Sequence, residues 1–388
     1  MKALSRRTED FTDSVIRRMT RISNQYGAVN LSQGFPDFDP PEEITDRLEQ
    51  IAKKGPHQYA LTWGAQNFRE ALAKKQEHFS GMSIDPDTEI VVTCGSTEAM
   101  MAAMMTVCNP GDRVVIFSPF YENYGADTIL CGAVPIYVPL NPPDFTFGVE
   151  ELEKAISQEG VKALILCNPS NPCGKVFSKE EMNTIADLAK KYDIYVITDE
   201  VYEHIIYEPY EHIYMAALPG MRERTIICNS LSKTYSITGW RLGYVIASPD
   251  VIDRVKKVHD FLTVGAAAPL MEAAVVGLSF GDEYYKGLQA HYTHMRQLFL
   301  NGLKDINLTF TEPQGAYYVL MDISEFGYQD DVEFCVDLAK KVGVGAVPGS
   351  SFFQEDVKHL IRFHFAKQDE TLIKALDRLS DIRRKMKR

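Results

Sequence analysis

The stretch Lys162 to Tyr202 reads KALILCNPSNPCGKVFSKEEMNTIADLAKKYDIYVITDEVY. Its first six residues, KALILC, are a short apolar run that ends at two Asn-Pro steps, which disfavour a helix and fix a loop. Ser178 to Tyr192 spaces its apolar residues at the helical period, and Asp193 to Thr198 is again a short run rich in Val and Ile. Strand, loop, helix and strand in that order predict a mainly parallel sheet covered by helices on both faces. The alternation continues on either side. Glu89 to Thr93 (EIVVT), Arg113 to Phe117 (RVVIF), Thr225 to Cys228 (TIIC) and Leu242 to Ala247 (LGYVIA) predict buried strands, and Ser96 to Cys108 predicts a helix. The tail changes character. Asp282 to Leu303 predicts one long helix, short strands follow near Tyr317 to Met321 and Leu360 to Phe365, and helices near 332–342 and 367–386. That mixture predicts a second, smaller α+β domain, which the N-terminal segment could join.

Composition sets bounds on function. The chain has 388 residues, a length that predicts two or three domains. A net charge of -12 argues against a nucleic-acid partner, because neutralising phosphates needs a basic surface. No apolar run approaches the roughly 20 residues that cross a bilayer. The opening MKALSRRTEDFTDS has no apolar stretch behind its charges, so a secretory signal is not expected. Seven scattered cysteines without a CxxC pair predict free thiols, a reducing cytoplasm and no zinc cluster.

Four places can carry chemistry. The first is Asn229 to Tyr244, NSLSKTYSITGWRLGY, where Lys233 stands between hydroxyls and Arg241 follows eight residues later. A polar loop with a solvated lysine would explain it. So would an amine held to condense with a carbonyl cofactor, with Arg241 as a planar cation suited to phosphate. The second is Thr198 to Tyr202, TDEVY, at the carboxyl end of a predicted strand, where open α/β sheets bind ligands. Asp199 there either caps the next turn or pairs with a cationic ring nitrogen. The third is Cys167 to Gly174, CNPSNPCG, where Asn171 presents an amide at the same edge, unless the segment is only a turn. The fourth is Thr93 to Ala99, TCGSTEA, in which Ser96 or Thr97 either caps a helix or offers first-turn N–H groups to a phosphate. No GxGxxG is present, which disfavours the usual dinucleotide fingerprint.

Taken in order, NLSQGFPDF from Asn30, HQYA from His57, CGSTEA, SPFYENY, NPSNPCG, TDEVY, SLSKTYSITGWRLGY and the Ile361-Arg362-Phe363 triplet resemble the class I aminotransferases, fold type I pyridoxal 5'-phosphate enzymes. LSQGFPDF and KVHDFLTV (257–264) are most similar to the kynurenine, glutamine and methionine aminotransferase branch. The resemblance implies an α/β large domain with a mostly parallel seven-stranded sheet between helices, over residues 45–280. It implies a smaller α+β domain from residues 1–44 and 281–388. It also implies roles. Lys233 would bond the cofactor and shuttle the proton, and Asp199 would pair with the pyridine nitrogen. Asn171 and Tyr202 would bond the ring 3-oxygen, and Tyr121 would stack on the ring. Ser96, Thr97, Ser230 and Arg241 would hold the phosphate, with Tyr59 reaching it from the other subunit of a homodimer. Arg362 would grip the substrate α-carboxylate, helped by Gly34 and Asn171.

This chain departs from the family pattern at Cys173, where a Thr is usual, and at Thr97, where some aspartate-specific members carry a Lys. Nor does the stretch Phe261 to Met271 contain an Arg. Cys173 implies only a small local effect, whereas the lack of a Lys at Thr97 and of an Arg in that stretch implies an enzyme moving an amino group between a neutral L-amino acid (aromatic, methionine, glutamine or kynurenine-like) and a 2-oxo acid. An aspartate aminotransferase and a cysteine-conjugate β-lyase are the alternatives within the fold. A regulatory, non-catalytic member is disfavoured by Lys233, by the acidic charge and by a family match that begins near residue 30. The expected partners are small amino and oxo acids, with no nucleic acid and no membrane.

Overall fold

The computed structural model describes residues 4–9, 11 and 13–387. Of the N-terminal stretch read above for a secretory signal, residues 1–3, 10 and 12 lie outside the described residues. Twelve strands occur among those described: β1 (Val29–Asn30), β2 (Ile90–Thr93), β3 (Arg113–Ser118), β4 (Val134–Pro139), β5 (Val161–Cys167), β6 (Tyr195–Asp199), β7 (Thr225–Ser230), β8 (Gly243–Ile246), β9 (Tyr318–Asp322), β10 (Val344–Gly345), β11 (Val347–Pro348) and β12 (Leu360–His364). Seven of them form one sheet in the order β2-β8-β7-β6-β5-β3-β4. Every pair is parallel except those of β8, which runs antiparallel to both β2 and β7.

The apolar runs are continuous because both faces of this sheet are covered. In β5, Leu164 and Leu166 join the core on one face while Ala163 and Ile165 join the core on the other, and Val196 and Ile197 of β6 divide the same way. Each such Leu or Ile, fully buried, contributes about 1.5–3 kcal/mol. The Lys179–Lys191 helix covers the first face, and its start is fixed by a capping box. Ser178 accepts the Glu181 N–H, and the Glu181 carboxylate accepts the Ser178 N–H. The Ser96–Val107 helix covers the second face with Met100, Ala103 and Met104.

The sequence reading missed β4. Its residues are mostly half-exposed at the sheet edge and two are prolines, so the apolar run is broken. The helix expected over 332–342 is an α-helix to Asp337 that widens into a π-turn over Leu338–Val342, and the one expected over 367–386 stops at Leu379 and restarts at Ile382. The N-terminal segment does join the C-terminal part. β1 pairs in parallel with β10, and β11, β12 and β9 make a three-stranded antiparallel sheet beside it. Met19, Val29 and Leu31 share one apolar core with Phe299, Phe334, Ile361 and Phe363. None of the described helices is long and apolar enough to cross a membrane.

Candidate active site

Strand register brings the four motifs to one edge. Cys167 pairs with Asp199, Asp199 with Cys228, Ser230 with Gly243, and Gly243 with Thr93. β8, antiparallel to both of its neighbours, begins where they end, so the loops after β2, β5, β6 and β7 open into one space. That space is a cavity of about 900 Å³. Ser96, Thr97, Tyr121, Asn171, Asp199, Tyr202, Ser230, Lys233, Arg241, Gly34 and Arg362, all expected at a site from the sequence, line it. Tyr59 does not. It is 88% exposed, outside the cavity of its own chain.

Asp199 is buried at the cavity floor. One carboxylate oxygen accepts the Tyr124 hydroxyl at 2.7 Å, and the other accepts the Val201 N–H at 3.3 Å. The second bond is the turn cap considered above, so the capping and charge-pairing readings are compatible. Burial pushes its pKa up to about 6 against the pull of Tyr124, Val201 and Lys233. A buried carboxylate in that state is stabilised by a cation placed against it.

Lys233 projects from the turn after β7, and its ammonium donates to the Gly34 carbonyl at 3.0 Å. The rings of Tyr317 and Tyr202 lie 5.7 and 6.0 Å from it. Burial, with Arg241 and Arg362 nearby, lowers its pKa to about 8. The free amine is therefore far more populated near neutral pH than for an ordinary lysine. Arg362, on β12, is fully buried between the rings of Tyr318 (4.2 Å) and Phe352 (4.5 Å). It donates to Asn171 Oδ1 at 2.7 Å and to the Ser32 carbonyl at 2.9 Å, while its Nε has no partner. A buried guanidinium with donors to spare suits a carboxylate.

Beside these lies an anion cradle. Gly95, at φ 82°, precedes the Ser96–Val107 helix with no side-chain cap, which corrects the expectation that Ser96 or Thr97 caps it. Both residues sit inside the first turn, where N–H groups lack intrahelical acceptors. The Arg241 guanidinium packs so closely over Gly95 that a Cβ there would overlap it. Arg241 itself adopts φ 54°, and its Nη1 donates to the Thr238 carbonyl at 3.1 Å. Ser230 Oγ accepts the Ser232 N–H at 2.9 Å.

Several lining residues escaped the sequence reading. Tyr124 stands three residues after Tyr121 in SPFYENY, a helical spacing that could have flagged it. Tyr318 bonds the Tyr202 hydroxyl at 2.8 Å, and Tyr317 donates to the Gly34 carbonyl at 2.9 Å. Asp127 lines the cavity with one carboxylate oxygen unpartnered, and burial pushes its pKa up to about 7. At the mouth, Glu122 accepts the Ser14 hydroxyl, and the Arg17 side chain has no ion pair among the described residues. Only the fold brings Ser14, the N-cap of the Val15–Gln25 helix, and Arg17, in its first turn, to this place.

An amine of lowered pKa, a buried carboxylate, a carboxylate-binding arginine and an anion cradle around one cavity are the parts that pyridoxal phosphate chemistry needs. Residues 26–379 match the family described as aminotransferase class I and II. The chain belongs to that family. This aminotransferase is 36% identical to the methionine aminotransferase of Escherichia coli strain K12, over 95% of this chain and 96% of that one. It is 32% identical to the kynurenine–oxoglutarate transaminase of Dictyostelium discoideum, over 98% and 96%. The solved structure of N-succinyldiaminopimelate aminotransferase from Mycobacterium tuberculosis superposes with a TM-score of 0.94 at 34% identity, covering 97% of this chain and 99% of that one. The aminotransferase thus has the fold type I architecture and is a pyridoxal phosphate-dependent transaminase.

Proposed function

We propose that this aminotransferase moves an amino group from a neutral L-amino acid, of the aromatic, methionine, glutamine or kynurenine-like class, to a 2-oxo acid. We further propose that it works as a cytoplasmic homodimer with a large domain over 45–280 and a small domain from 1–44 and 281–388. The cofactor fits the residues present. Ser96 and Thr97 N–H groups, Ser230 and Arg241 would hold its phosphate, Asp199 would meet the ring nitrogen, Asn171 and Tyr202 would meet the ring 3-oxygen, and Tyr121 would cover the ring. When bound, pyridoxal phosphate supplies the electron sink that acidifies the substrate Cα–H. Arg362 holds the substrate carboxylate, with Asn171 and the Gly34 backbone beside it, and so fixes which bond at Cα faces the lysine. Lys233 would take the proton from the substrate Cα and hold it within reach for redelivery. An amine tethered at that distance acts at high effective concentration. Asp199 would be held ionised by a cationic ring nitrogen placed against it, and Tyr124 keeps the carboxylate oriented.

The observation that carries the donor reading is the apolar share of the cavity lining. Phe35, Tyr121, Met101, Leu130 and Leu262 belong to it, and an apolar side chain gains roughly 25 cal/mol per Å² buried against such groups. No lysine stands at Thr97. Arg17 at the mouth favours a second reading for the other substrate, since it offers a cation to the distal carboxylate of a 2-oxo diacid. The test is kcat/KM for phenylalanine, kynurenine, methionine, glutamine and aspartate, each with neutral and diacid acceptors. Neutral donors should lead, and aspartate ahead by about tenfold (about 1.4 kcal/mol) would overturn the donor reading.

The dimer is supported by what the single chain leaves in water. Tyr59 and Leu61 on one loop, and Phe261, Leu262 and Val264 at the end of the Pro249–Thr263 helix, are all exposed. The two segments touch where Gly265 abuts Thr62. A continuous exposed apolar patch beside an active site suits a subunit interface, and twofold symmetry would carry each Tyr59 to its partner's phosphate.

A further inference from the structure

Behind the anion cradle lies a buried ion pair that neither the motifs nor the proposed chemistry uses. Glu98 is the third residue of the Ser96–Val107 helix, and His259 lies near the end of the Pro249–Thr263 helix. His259 is fully buried, and Glu98 nearly so. Glu98 Oε2 accepts the Cys94 N–H at 2.5 Å. Glu98 Oε1 accepts the Thr263 hydroxyl at 2.8 Å and meets His259 Nδ1 at 2.6 Å. On the far side of the imidazole, Nε2 meets the Thr62 carbonyl at 2.7 Å.

The protonation state follows from the partners. An ionised carboxylate and a backbone carbonyl only accept, so both ring nitrogens must donate and His259 is an imidazolium. Burial alone would lower its pKa, yet the bond and charge of Glu98 hold it above the ordinary imidazole value. Burial would likewise raise Glu98, but His259 and the Cys94 N–H hold it below the usual carboxylate range.

The pair ties together three segments, adding to the Cys94 thiol's contact with the Gly265 carbonyl and the Lys256 ammonium over the Trp63 ring. Through Cys94 it fixes the turn that leads into Gly95, Ser96 and Thr97. Through Thr62 it fixes the loop that carries Tyr59. Through Thr263 it fixes the cavity wall beside Leu262. Because Glu98 lies in the first turn of a helix, its negative charge by itself would oppose a second anion at that N-terminus, and the imidazolium cancels it.

We infer that Glu98 and His259 are positioning residues for the cofactor phosphate, holding the cradle turn and the Tyr59 loop in one geometry while cancelling a charge that would otherwise repel the phosphate. The inference rests on the reading of Ser96, Thr97 and Arg241 as the phosphate's seat. It extends that reading to Glu98, whose carboxylate is taken up by the Cys94 N–H, the Thr263 hydroxyl and His259, and to His259, which does not line the cavity.

The test compares ligands with and without the phosphate. The full chain, freed of cofactor, is titrated with pyridoxal phosphate, with pyridoxal and with inorganic phosphate, for wild type and for His259→Gln, Glu98→Gln and Arg241→Gln. Folding is checked by thermal unfolding. Support shells of this kind typically contribute about tenfold or more in ligand affinity. His259→Gln, which leaves the Glu98 charge uncancelled, should weaken pyridoxal phosphate and inorganic phosphate by about that factor and change pyridoxal by less than about twofold. Glu98→Gln removes the charge together with the bonds that position the turn and the loop, so it should weaken both phosphate ligands less than His259→Gln does while sparing pyridoxal; it keeps an acceptor for the Cys94 N–H and carries the positioning half of the test if His259→Gln does not fold. Equal weakening of pyridoxal and pyridoxal phosphate would overturn the inference, since a merely structural lesion acts on both. If Arg241→Gln loses phosphate affinity while neither pair variant does, the pair has no such role and the seat stands. If all three variants bind pyridoxal phosphate like wild type, the seat reading fails and takes the inference with it.

Discussion

Replacing Asp199 by Asn should make the cofactor-free protein more stable and the working enzyme much worse. In the folded chain the Asp199 pKa stands at about 6 instead of 3.8, chiefly through burial. Carrying that carboxylate ionised inside the fold therefore costs about 3 kcal/mol at neutral pH. The sign follows from proton counts. Between the two pKa values the folded state binds more protons than the unfolded state, so stability falls as pH rises through that window. Asparagine keeps the shape and removes the charge. Its carbonyl can accept the Val201 N–H, and its amide can donate to Tyr124 Oη, because that hydroxyl also accepts. Urea unfolding of the cofactor-free proteins at pH 7 should then favour the Asn variant by up to about 3 kcal/mol, and the gap should shrink as pH falls toward 4. With cofactor bound the order reverses. Losing one partner of a buried charge pair costs about 3–5 kcal/mol, so turnover should drop roughly 10²–10³-fold or more and the cofactor should leave faster. An Asn variant no more stable than wild type without cofactor, or one that keeps its turnover, would refute the reasoning.

Two further outcomes follow from the site. Arg362→Lys should keep the charge but lose the two-pronged grip, leaving Asn171 Oδ1 and the Ser32 carbonyl short of donors. KM should rise for every donor alike, by about tenfold or more as the bidentate hydrogen bonding is lost, and a donor-selective effect in steady-state kinetics would contradict that role. Mixing Tyr59→Phe and Lys233→Ala subunits should restore partial activity, because a heterodimer has one site with both lesions and one with neither. Light scattering that shows a fully active monomer would exclude shared sites.

How far the sequence could be read depended on what kind of signal each residue carries. Strands β5, β6 and β7 announced themselves because burial on both faces forces an unbroken apolar run, whereas the half-exposed, proline-bearing β4 left no such trace. Lys233, Asp199 and Asn171 were legible because each follows a strand of the same sheet, and the cavity gathers them. Ser14 and Arg17 carry no motif, and their place at the cavity mouth comes from packing of the N-terminal helix against residues more than a hundred positions away. Glu98 and His259 were equally silent, since a glutamate in CGSTEA and a histidine in KVHDF reveal their meeting only when two helices cross. Of the two readings open for Ser96 and Thr97, capping is not the one the fold uses, because Gly95 takes the N-cap position and supplies the positive φ that the turn under Arg241 requires.

The central claim is that the Lys233 amine bonds the cofactor and moves the substrate proton. Borohydride reduction of the wild-type enzyme followed by peptide mass spectrometry tests it directly, with Lys233→Ala assayed alongside. The reduced cofactor should be found on the peptide containing Lys233, and the Ala variant should fold, bind cofactor without a covalent link and retain less than about one hundredth of wild-type transamination, as loss of a general base predicts. Cofactor trapped on a different lysine, or an Ala variant that still transaminates above that level, would contradict the account.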